Sequence, residues 1–256
     1  ASQQVDGIRN LGVWNDKIIV SRGDYDNVTF LPILYNSYLQ VYNTSDLSLH
    51  MEIDTLNGPK WSTQNIVVNG TDAYIAVNNA FEFGNYKGIV GVLDLSNMTY
   101  GNEIDLGSNG KNPDNMVLKG GNILTVNNKD WSGSSISKID ISTNSLDATV
   151  DLASASTGCG TSSLRDDKLV YQISQETSLN EFDINQMNNV GPISSYNLNF
   201  YCLAQNPVDG NLYTSNTDFF SYGKIYIYDS NDTEVLNFDA GITPGAIVFD
   251  VESNAG

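Results

Sequence analysis

Short runs that alternate apolar and polar side chains recur along the whole chain. Examples are Asn122–Asn127 (NILTVN), Ser135–Ile141 (SISKIDI) and Ala148–Leu152 (ATVDL). A period of two places the apolar side chains on one face of an extended strand, and Gly, Asn or Asp closes each run. We find no ten-residue window with the apolar spacing of three and four that an amphipathic helix requires. The pattern therefore predicts strands throughout and almost no helix.

These predicted strands recur in a fixed order. One strand of each repeat ends at a polar residue followed by a small polar turn, and these end positions are Asn43, Asp94, Asp140, Asp183 and Asp229. The intervals between them are 51, 46, 43 and 46 residues. Four strands in a repeat of roughly 40 to 50 residues is the spacing of a β-propeller blade.

We label the four strands of a repeat a, b, c and d, from the inner to the outer edge of the blade. In the third repeat they are predicted at Asn115–Lys119, Asn122–Asn127, Ser135–Ile141 and Ala148–Leu152. The sequence thus predicts an all-β fold, a single β-propeller domain over residues 1–256. The predicted blades span about 8–55, 65–106, 115–152, 161–198 and 202–239, with a closing inner strand at 246–250.

The two ends of the chain suggest a larger ring. The chain begins on an a strand, Ile8–Trp14, and the a-like strand at 246–250 lacks its b, c and d partners. In a ring closed by strand exchange, those partners come from the N-terminal side. We therefore expect a six- or seven-bladed ring with strands preceding Ala1; the alternative is a five-bladed ring followed by a C-terminal tail.

Composition narrows the possible partners. With 12 Lys and Arg against 30 Asp and Glu, the net charge is −18. Such a chain lacks the basic surface that binds nucleic acid or anionic membranes, so neither is expected as a partner. No run of 18 apolar residues occurs and no basic leader follows Ala1, so we expect no transmembrane segment and no signal peptide in this sequence.

The residues needed for common catalytic sites are scarce. The single histidine, His50, excludes zinc sites built from several histidines. Glycine-rich phosphate-binding motifs and the G-x-S-x-G nucleophile motif are absent. We therefore expect no catalytic residues and no cofactor.

Aromatic residues concentrate in one class of loop. In a propeller the b–c and d–a connections emerge at the same end of the blades, and four of the five predicted b–c loops carry aromatic rings. Such rings offer large amphipathic contact area, which suits recognition of a protein or a ligand. The candidate binding residues are Trp61, Phe81, Phe83, Tyr86, Trp131, Phe219, Phe220 and Tyr222. The alternative is that these rings fold inward and cover the packing between blades.

Two asparagines stand where strand b meets the same end. Asn78 and Asn127 could present donors and acceptors to a polar ligand such as a sugar. The alternative is structural, because asparagine satisfies backbone groups in loops.

Asp and Glu are numerous, but the repeat spacing of the aspartates is typical of residues that cap turns. Asp94, Asp140, Asp183 and Asp229 recur with the repeat, as turn-capping residues do. The acidic stretches at 24–27 and 229–234 have oxygen ligands for Ca²⁺ without a complete calcium-binding loop, so a structural Ca²⁺ stays a minor alternative. Channel carboxylates such as Glu82 with Asp114 or Asp130 remain open as an acid–base pair.

The repeat resembles that of the YncE-like β-propellers of bacterial cell envelopes. The resemblance rests on the strand-b ends Val77-Asn78-Asn79 and Val126-Asn127-Asn128, on the strand-c Asp with its polar turn, and on the d–a corners at 111–114 and 241–245. It implies a binding module in the periplasm, at the outer-membrane surface or secreted, and no particular cofactor. Single-stranded DNA binding, which the resemblance also raises, is disfavoured by the negative charge.

The two cysteines occupy equivalent repeat positions. Cys159 and Cys202 each lie ten residues before a matching strand-b leucine, Leu169 and Leu212. Equivalent inner-strand positions of neighbouring blades lie close together, so a disulfide is feasible, and a cell-envelope location would permit it. Two buried thiols are the alternative.

From the sequence we expect a non-enzymatic binding or scaffold propeller of the cell envelope. Its aromatic loops would bind a partner protein, such as a component of an outer-membrane complex, or a polar small molecule. The alternative is a propeller hydrolase or lyase that uses channel carboxylates, with or without Ca²⁺.

Overall fold

The computed structural model describes residues 4–251 and confirms the predicted fold class. These residues form five four-stranded antiparallel sheets, the blades of a β-propeller fold. The helical structure in this range is one 3-10 turn, Ser108–Gly110. Residue contacts divide the chain into two compact units, which we describe separately: unit 1 is Ala1–Ser154 and unit 2 is Ala155–Gly256. The predicted single domain over 1–256 stays a prediction.

Unit 1 contains three blades. Blade 1 consists of β1 (Ile8–Trp14), β2 (Lys17–Arg22), β3 (Ser37–Asn43) and β4 (Leu49–Asp54). Blade 2 consists of β5 (Thr63–Asn69), β6 (Asp72–Val77), β7 (Ile89–Asp94) and β8 (Thr99–Asp105). Blade 3 consists of β9 (Pro113–Lys119), β10 (Asn122–Asn127), β11 (Ser134–Asp140) and β12 (Ser145–Ala153).

Unit 2 contains two blades with the same strand order. Blade 4 consists of β13 (Thr157–Arg165), β14 (Lys168–Ile173), β15 (Leu179–Asp183) and β16 (Asn188–Ile193). Blade 5 consists of β17 (Cys202–Gln205), β18 (Leu212–Asn216), β19 (Tyr222–Tyr228) and β20 (Glu234–Ile242). In all five sheets, consecutive strands are hydrogen-bonded neighbours.

The strand predictions for the third repeat agree closely with blade 3. Strand b coincides with β10, and strand c lies one residue after β11. Strand a begins two residues after β9, and strand d is four residues shorter than β12. The alternation of apolar and polar residues and the Asn or Gly turns therefore locate these strands.

The predicted closing strand at 246–250 is not formed. These residues have no regular secondary structure, and all five described sheets already contain four strands. A strand requires a hydrogen-bonding neighbour, and apolar alternation alone cannot provide one. The structure describes five blades, and the larger ring with strands before Ala1 stays a prediction.

Within unit 1, the core lies between consecutive blades. The first interface joins Ile19, Leu39, Val41 and Ile53 of blade 1 to Ile66, Ala73, Ile75 and Leu93 of blade 2. The second joins Tyr74, Ala76, Val90, Val92 and Ile104 of blade 2 to Met116, Ile123 and Ile139 of blade 3. The b strands β6 and β10 each have five consecutive buried residues, because both of their faces are covered.

Unit 2 has an equivalent interface and a buried ion pair. Val170 and Leu179 of blade 4 pack with Leu203, Leu212 and Tyr228 of blade 5. Beside this core, Arg165 is buried, pairs with Asp232 and donates to the backbone carbonyl of Asp229 at 2.9 Å. Tyr196 donates its hydroxyl to Asp232 at 2.6 Å, so three groups share one polar network.

The repeat-spaced aspartates cap turns, as predicted. The carboxylates of Asp94, Asp140, Asp183 and Asp229 each accept a hydrogen bond from the backbone N–H two residues later, at 2.8 to 2.9 Å. Hydrogen bonds from the Ser96 and Ser142 hydroxyls, together with these backbone bonds, lower the pKa of Asp94 and Asp140. Hydrogen bonds from the backbone N–H groups of Thr233 and then Asn231 lower the pKa of Asp229. The carboxylates stabilise the c–d turns in their charged form.

Ile104→Ala tests the inter-blade core. Ile104 is buried between blades 2 and 3, and its truncation should lower the free energy of unfolding by about 2–4 kcal/mol through lost burial and a cavity. Leu56→Ala is the control, because exposed Leu56 should cost less than about 0.5 kcal/mol. Urea denaturation measures both values. Equal effects of the two substitutions would contradict an inter-blade core.

Candidate functional site

The antiparallel strand order brings the b–c and d–a connections to one end of each blade, here called the loop end. In unit 1 the b–c loops are 23–36, 78–88 and 128–133, and the d–a loops are 55–62 and 106–112. In unit 2 the b–c loops are 174–178 and 217–221, with a d–a loop at 194–201. All eight candidate aromatic residues lie in these connections or, for Tyr222, at the first residue of the next strand.

In unit 1, the first two b–c loops contact each other through rings. Tyr25 lies 5.0 Å from Phe81 between ring centroids and 6.2 Å from Phe30. The guanidinium of Arg9 stands 4.9 Å from the centre of the Phe81 ring. Phe81 is thus half-buried by its neighbours, whereas Phe30 and Phe83 are exposed.

A second pair of rings joins the b–c loops of blades 2 and 3. Trp131 donates its indole N–H to the hydroxyl of Tyr86 at 2.8 Å. Tyr86 is only 7% exposed, so it supports Trp131 rather than presenting its own ring to solvent. On the other side, the Lys87 ammonium lies 4.8 Å from the centre of the half-buried Trp61 ring.

In unit 2, the loop end of blade 5 presents three exposed rings. Phe219 packs edge-on against Tyr201 at 5.2 Å, and Phe220 is 89% exposed. Tyr222 is also exposed at the start of β19. Asp218 fixes this loop, since its carboxylate accepts the backbone N–H groups of Phe220 at 2.9 Å and of Ser221 at 2.8 Å.

The five b–c loops share a backbone feature that the sequence did not reveal. Each loop has a non-glycine residue with a left-handed backbone conformation, at Phe30, Phe81, Trp131, Gln175 and Phe219 with φ of 57°, 69°, 63°, 70° and 68°. Two of the loops have a second such residue, Asn79 and Lys129, with φ of 54° and 49°. A bulky side chain rarely adopts this conformation, which costs on the order of 1–3 kcal/mol. Four of the five positions carry aromatic rings, so each of these rings projects from a strained and defined loop.

Asn78 and Asn127 adopt the structural role that the sequence left open as the alternative. Both are buried. The Asn78 amide donates to Asn112 and to the carbonyl of Pro113, at 3.2 and 3.3 Å. The Asn127 amide donates to Ser135 and Ser137, at 3.0 and 2.9 Å. Each amide uses both of its hydrogens within the protein, which leaves none for a ligand in this conformation.

The candidate carboxylates serve other contacts. Asp130 pairs with Lys111 at 3.4 Å, and Asp114 accepts a hydrogen bond from Gln64 at 3.4 Å. Asp26 accepts the backbone N–H groups of Val28 and Thr29, which shapes the first b–c loop. Among residues 4–251, no group of three or more His, Cys, Asp and Glu side chains is arranged to hold a metal ion.

A polar groove of about 500 Å³ lies beside the second b–c loop. Its lining includes Tyr86, Lys87, Glu103, Asp105 and Lys111. The backbone N–H of Asn112 donates to the carbonyl of Lys87 at 2.7 Å, so the d–a loop 106–112 is hydrogen-bonded to the b–c loop 78–88 at this groove. At Gly88, an added Cβ would lie 2.7 Å from the Gly110 carbonyl oxygen, so the two segments approach too closely for a side chain.

The structure describes the side chain of only one of the two cysteines in the predicted disulfide. Cys202 is buried at the start of β17 and its thiol is free, and burial raises its pKa. Cys159 lies in β13, but its side chain falls outside the described residues. Because the Cys202 thiol is free, the feasible disulfide is not formed in this structure.

Comparisons with known proteins support the fold and leave the family open. No family model and no curated protein matches the chain. In contrast, 1017 chains of solved structures match, so the fold is widespread. One is the hydrazine synthase of Kuenenia stuttgartiensis, with a TM-score of 0.62 and 11% sequence identity over 90% of this chain. The match covers 65% of that chain, and at this identity it shows the fold alone. The YncE-like resemblance stays a prediction.

No helix within residues 4–251 has the length and apolar character needed to cross a membrane.

The Asp218 turn gives a pH-dependent prediction. Hydrogen bonds, first from the Ser221 backbone and then from Phe220, lower the pKa of Asp218 from 3.8 to about 2. Because the pKa is lowered on folding, the turn is stabilised above the ordinary pKa and loses this stabilisation as pH falls through about 2. Carbon-13 NMR titration should show this midpoint, and Ser221→Ala, which removes the Ser221 side-chain hydroxyl bond, should raise it. A midpoint near 3.8 in the unaltered protein would contradict the turn geometry.

Proposed function

We propose that this protein is a non-enzymatic binding module that contacts a partner protein through the exposed rings of its b–c loops. The observation that carries the proposal is the exposure of Phe83 and Trp131 in unit 1 and of Phe219 and Phe220 in unit 2, with Tyr222 exposed at the strand residue that follows the last loop. Large apolar side chains such as Phe are usually buried in a folded protein, whereas these rings remain in contact with solvent. At a protein interface, such rings contribute a large share of the binding free energy.

The loops that carry these rings are ordered rather than extended and free. The Asp218 carboxylate accepts backbone hydrogen bonds within the ring-bearing loop of blade 5, and the buried Tyr86 hydroxyl accepts the indole N–H of Trp131. A ring held in one position loses less conformational entropy on binding than a ring on a mobile loop. Loops ordered in this way favour recognition of a fixed partner surface.

The acidic character of the chain favours a partner with a basic or neutral contact surface. The net charge is −18, and Asp24, Asp26, Glu82 and Asp218 lie in the ring-bearing loops. Complementary charge accelerates association and disfavours acidic partners. A cell-envelope location and an accessory role in an outer-membrane complex belong to this proposal, and their support is the resemblance to YncE-like propellers.

A polar small molecule is the second candidate ligand, because the groove beside blade 2 suits it. The groove volume of about 500 Å³ accommodates a small molecule, and Lys87 and Lys111 offer donors while Glu103 and Asp105 offer acceptors. Hydroxyl groups match such a mixture of donors and acceptors. Apart from Tyr86, which lines the groove and accepts the hydrogen bond of Trp131, this candidate uses other residues than the ring-mediated contact does, so variants separate the two.

Phe83→Ala combined with Phe220→Ala tests the ring-mediated contact. The source organism's membranes would be cross-linked with the purified protein, the captured protein identified by mass spectrometry, and its affinity then measured by calorimetry. The double variant should weaken binding at least tenfold, which corresponds to about 1.4 kcal/mol. Its melting temperature should stay unchanged because both rings are exposed.

Two control variants define the site. Val190→Ala with Val208→Ala removes exposed apolar side chains outside the ring-bearing loops and should leave the affinity unchanged. Lys87→Ala with Lys111→Ala should affect only a ligand bound in the groove. Unchanged affinity in the Phe83/Phe220 variant would reject the ring-mediated contact.

A further inference from the structure

The first b–c loop, 23–36, is the longest of the five and folds into a small hairpin of its own. An antiparallel bridge between Tyr25 and Pro32 joins the two arms of this hairpin. Backbone hydrogen bonds of 2.9 Å flank the bridge and run from Asp26 to Leu31 and from Ile33 to Asp24. We call residues 24–33 the blade 1 hairpin and residues 26–31 its tip.

The tip exposes apolar side chains to solvent. All six of its residues are exposed. Val28, Phe30 and Leu31 are 85%, 71% and 64% exposed, and Leu34 beside the hairpin is 85% exposed. A single exposed apolar residue is ordinary, but several on one turn mark a surface that contacts a protein or a membrane.

The tip satisfies its own backbone donors. The Asp26 carboxylate accepts the backbone N–H groups of Val28 at 3.0 Å and of Thr29 at 2.7 Å. The N–H of Phe30 donates to the Asp26 carbonyl at 2.8 Å, and that of Leu31 donates to the Thr29 hydroxyl at 3.4 Å. In hydrocarbon no water is present to bond a backbone N–H, so these four consecutive donors lower the cost of leaving water.

Charge determines which bilayer such a tip can enter. The loop 23–36 has Asp24 and Asp26 and no Lys or Arg, in a chain of net charge −18. Anionic head groups repel this surface, whereas zwitterionic head groups carry no net charge. Hydrogen bonds, first from the Thr29 backbone, lower the pKa of Asp26, so its carboxylate stays charged and requires a position among the head groups. The tip is therefore suited to shallow insertion.

We propose that the blade 1 hairpin anchors the protein on the surface of a zwitterionic lipid bilayer, with Val28, Phe30 and Leu31 inserted just below the head groups. The contact is peripheral, because only the apolar tip enters the interfacial region. An apolar protein groove would also accept these side chains, but donors that need no outside acceptor favour lipid. The anchor goes beyond the proposed protein contact and uses other residues.

Flotation with vesicles of phosphatidylcholine alone tests the anchor. The unaltered protein should float with the vesicles. Val28→Asp combined with Leu31→Asp should lower the partition coefficient by at least about tenfold, because charged side chains would have to enter the bilayer. Circular dichroism checks folding, and Val28→Ser with Leu31→Ser replaces a variant that does not fold. In Phe30→Trp, the added indole emission should shift to shorter wavelength when the vesicles are present.

Matched variants and lipids define the contact. Val190→Asp with Val208→Asp places the same charges on exposed valines of unit 2 and should leave flotation unchanged. Phe83→Ala with Phe220→Ala, which tests the protein contact, should still float, so the two proposals can fail separately. Phosphatidylglycerol added to the vesicles should weaken binding, because the protein and this lipid are both anionic.

Four outcomes would overturn the proposal. They are a Val28/Leu31 variant that floats like the unaltered protein, a Phe30→Trp emission that vesicles do not shift, stronger binding when phosphatidylglycerol is added, and an unaltered protein that binds native membranes but not pure lipid. The last outcome would assign the hairpin to a protein partner.

Discussion

The structure depends on covering both faces of each blade. The b strands β6 and β10 are buried on both faces. Many antiparallel sheets have one face on the core and the other in solvent, but these blades do not. Each blade must therefore pack between neighbours, and the Ile53–Ile66 and Ile104–Met116 pairs belong to the clusters that meet this need in unit 1.

The repeat, the strand order and most strand positions could be predicted from the sequence. They follow from local features: apolar alternation, Asn or Gly turns, and aspartates such as Asp140 that cap the c–d turn. The segment 246–250 has the same alternation and still forms no strand. Strand formation there depends on a hydrogen-bonding partner, which no local pattern contains.

The candidate site was predictable by region and much less so by residue. The sequence located aromatic rings in the b–c loops, but it could not separate buried Tyr86 from exposed Phe220. That difference depends on contacts between loops, such as the bond from Trp131 to Tyr86, and on left-handed backbone at Trp131 and Phe219. Asn78 and Asn127 show the same limit, because their amides are used by partners such as Asn112 and Ser137.

Native-state hydrogen exchange tests the central claim, that the inter-blade interfaces hold each sheet together. If they do, the amides of β6 and β10, which lie between two covered faces, should exchange only through global unfolding, whereas those of the outer strands β4 and β20 exchange through local opening. Slow exchange in β4 and β20 equal to that of β6 and β10 would show that the sheets are stable without their neighbours, and would contradict the account.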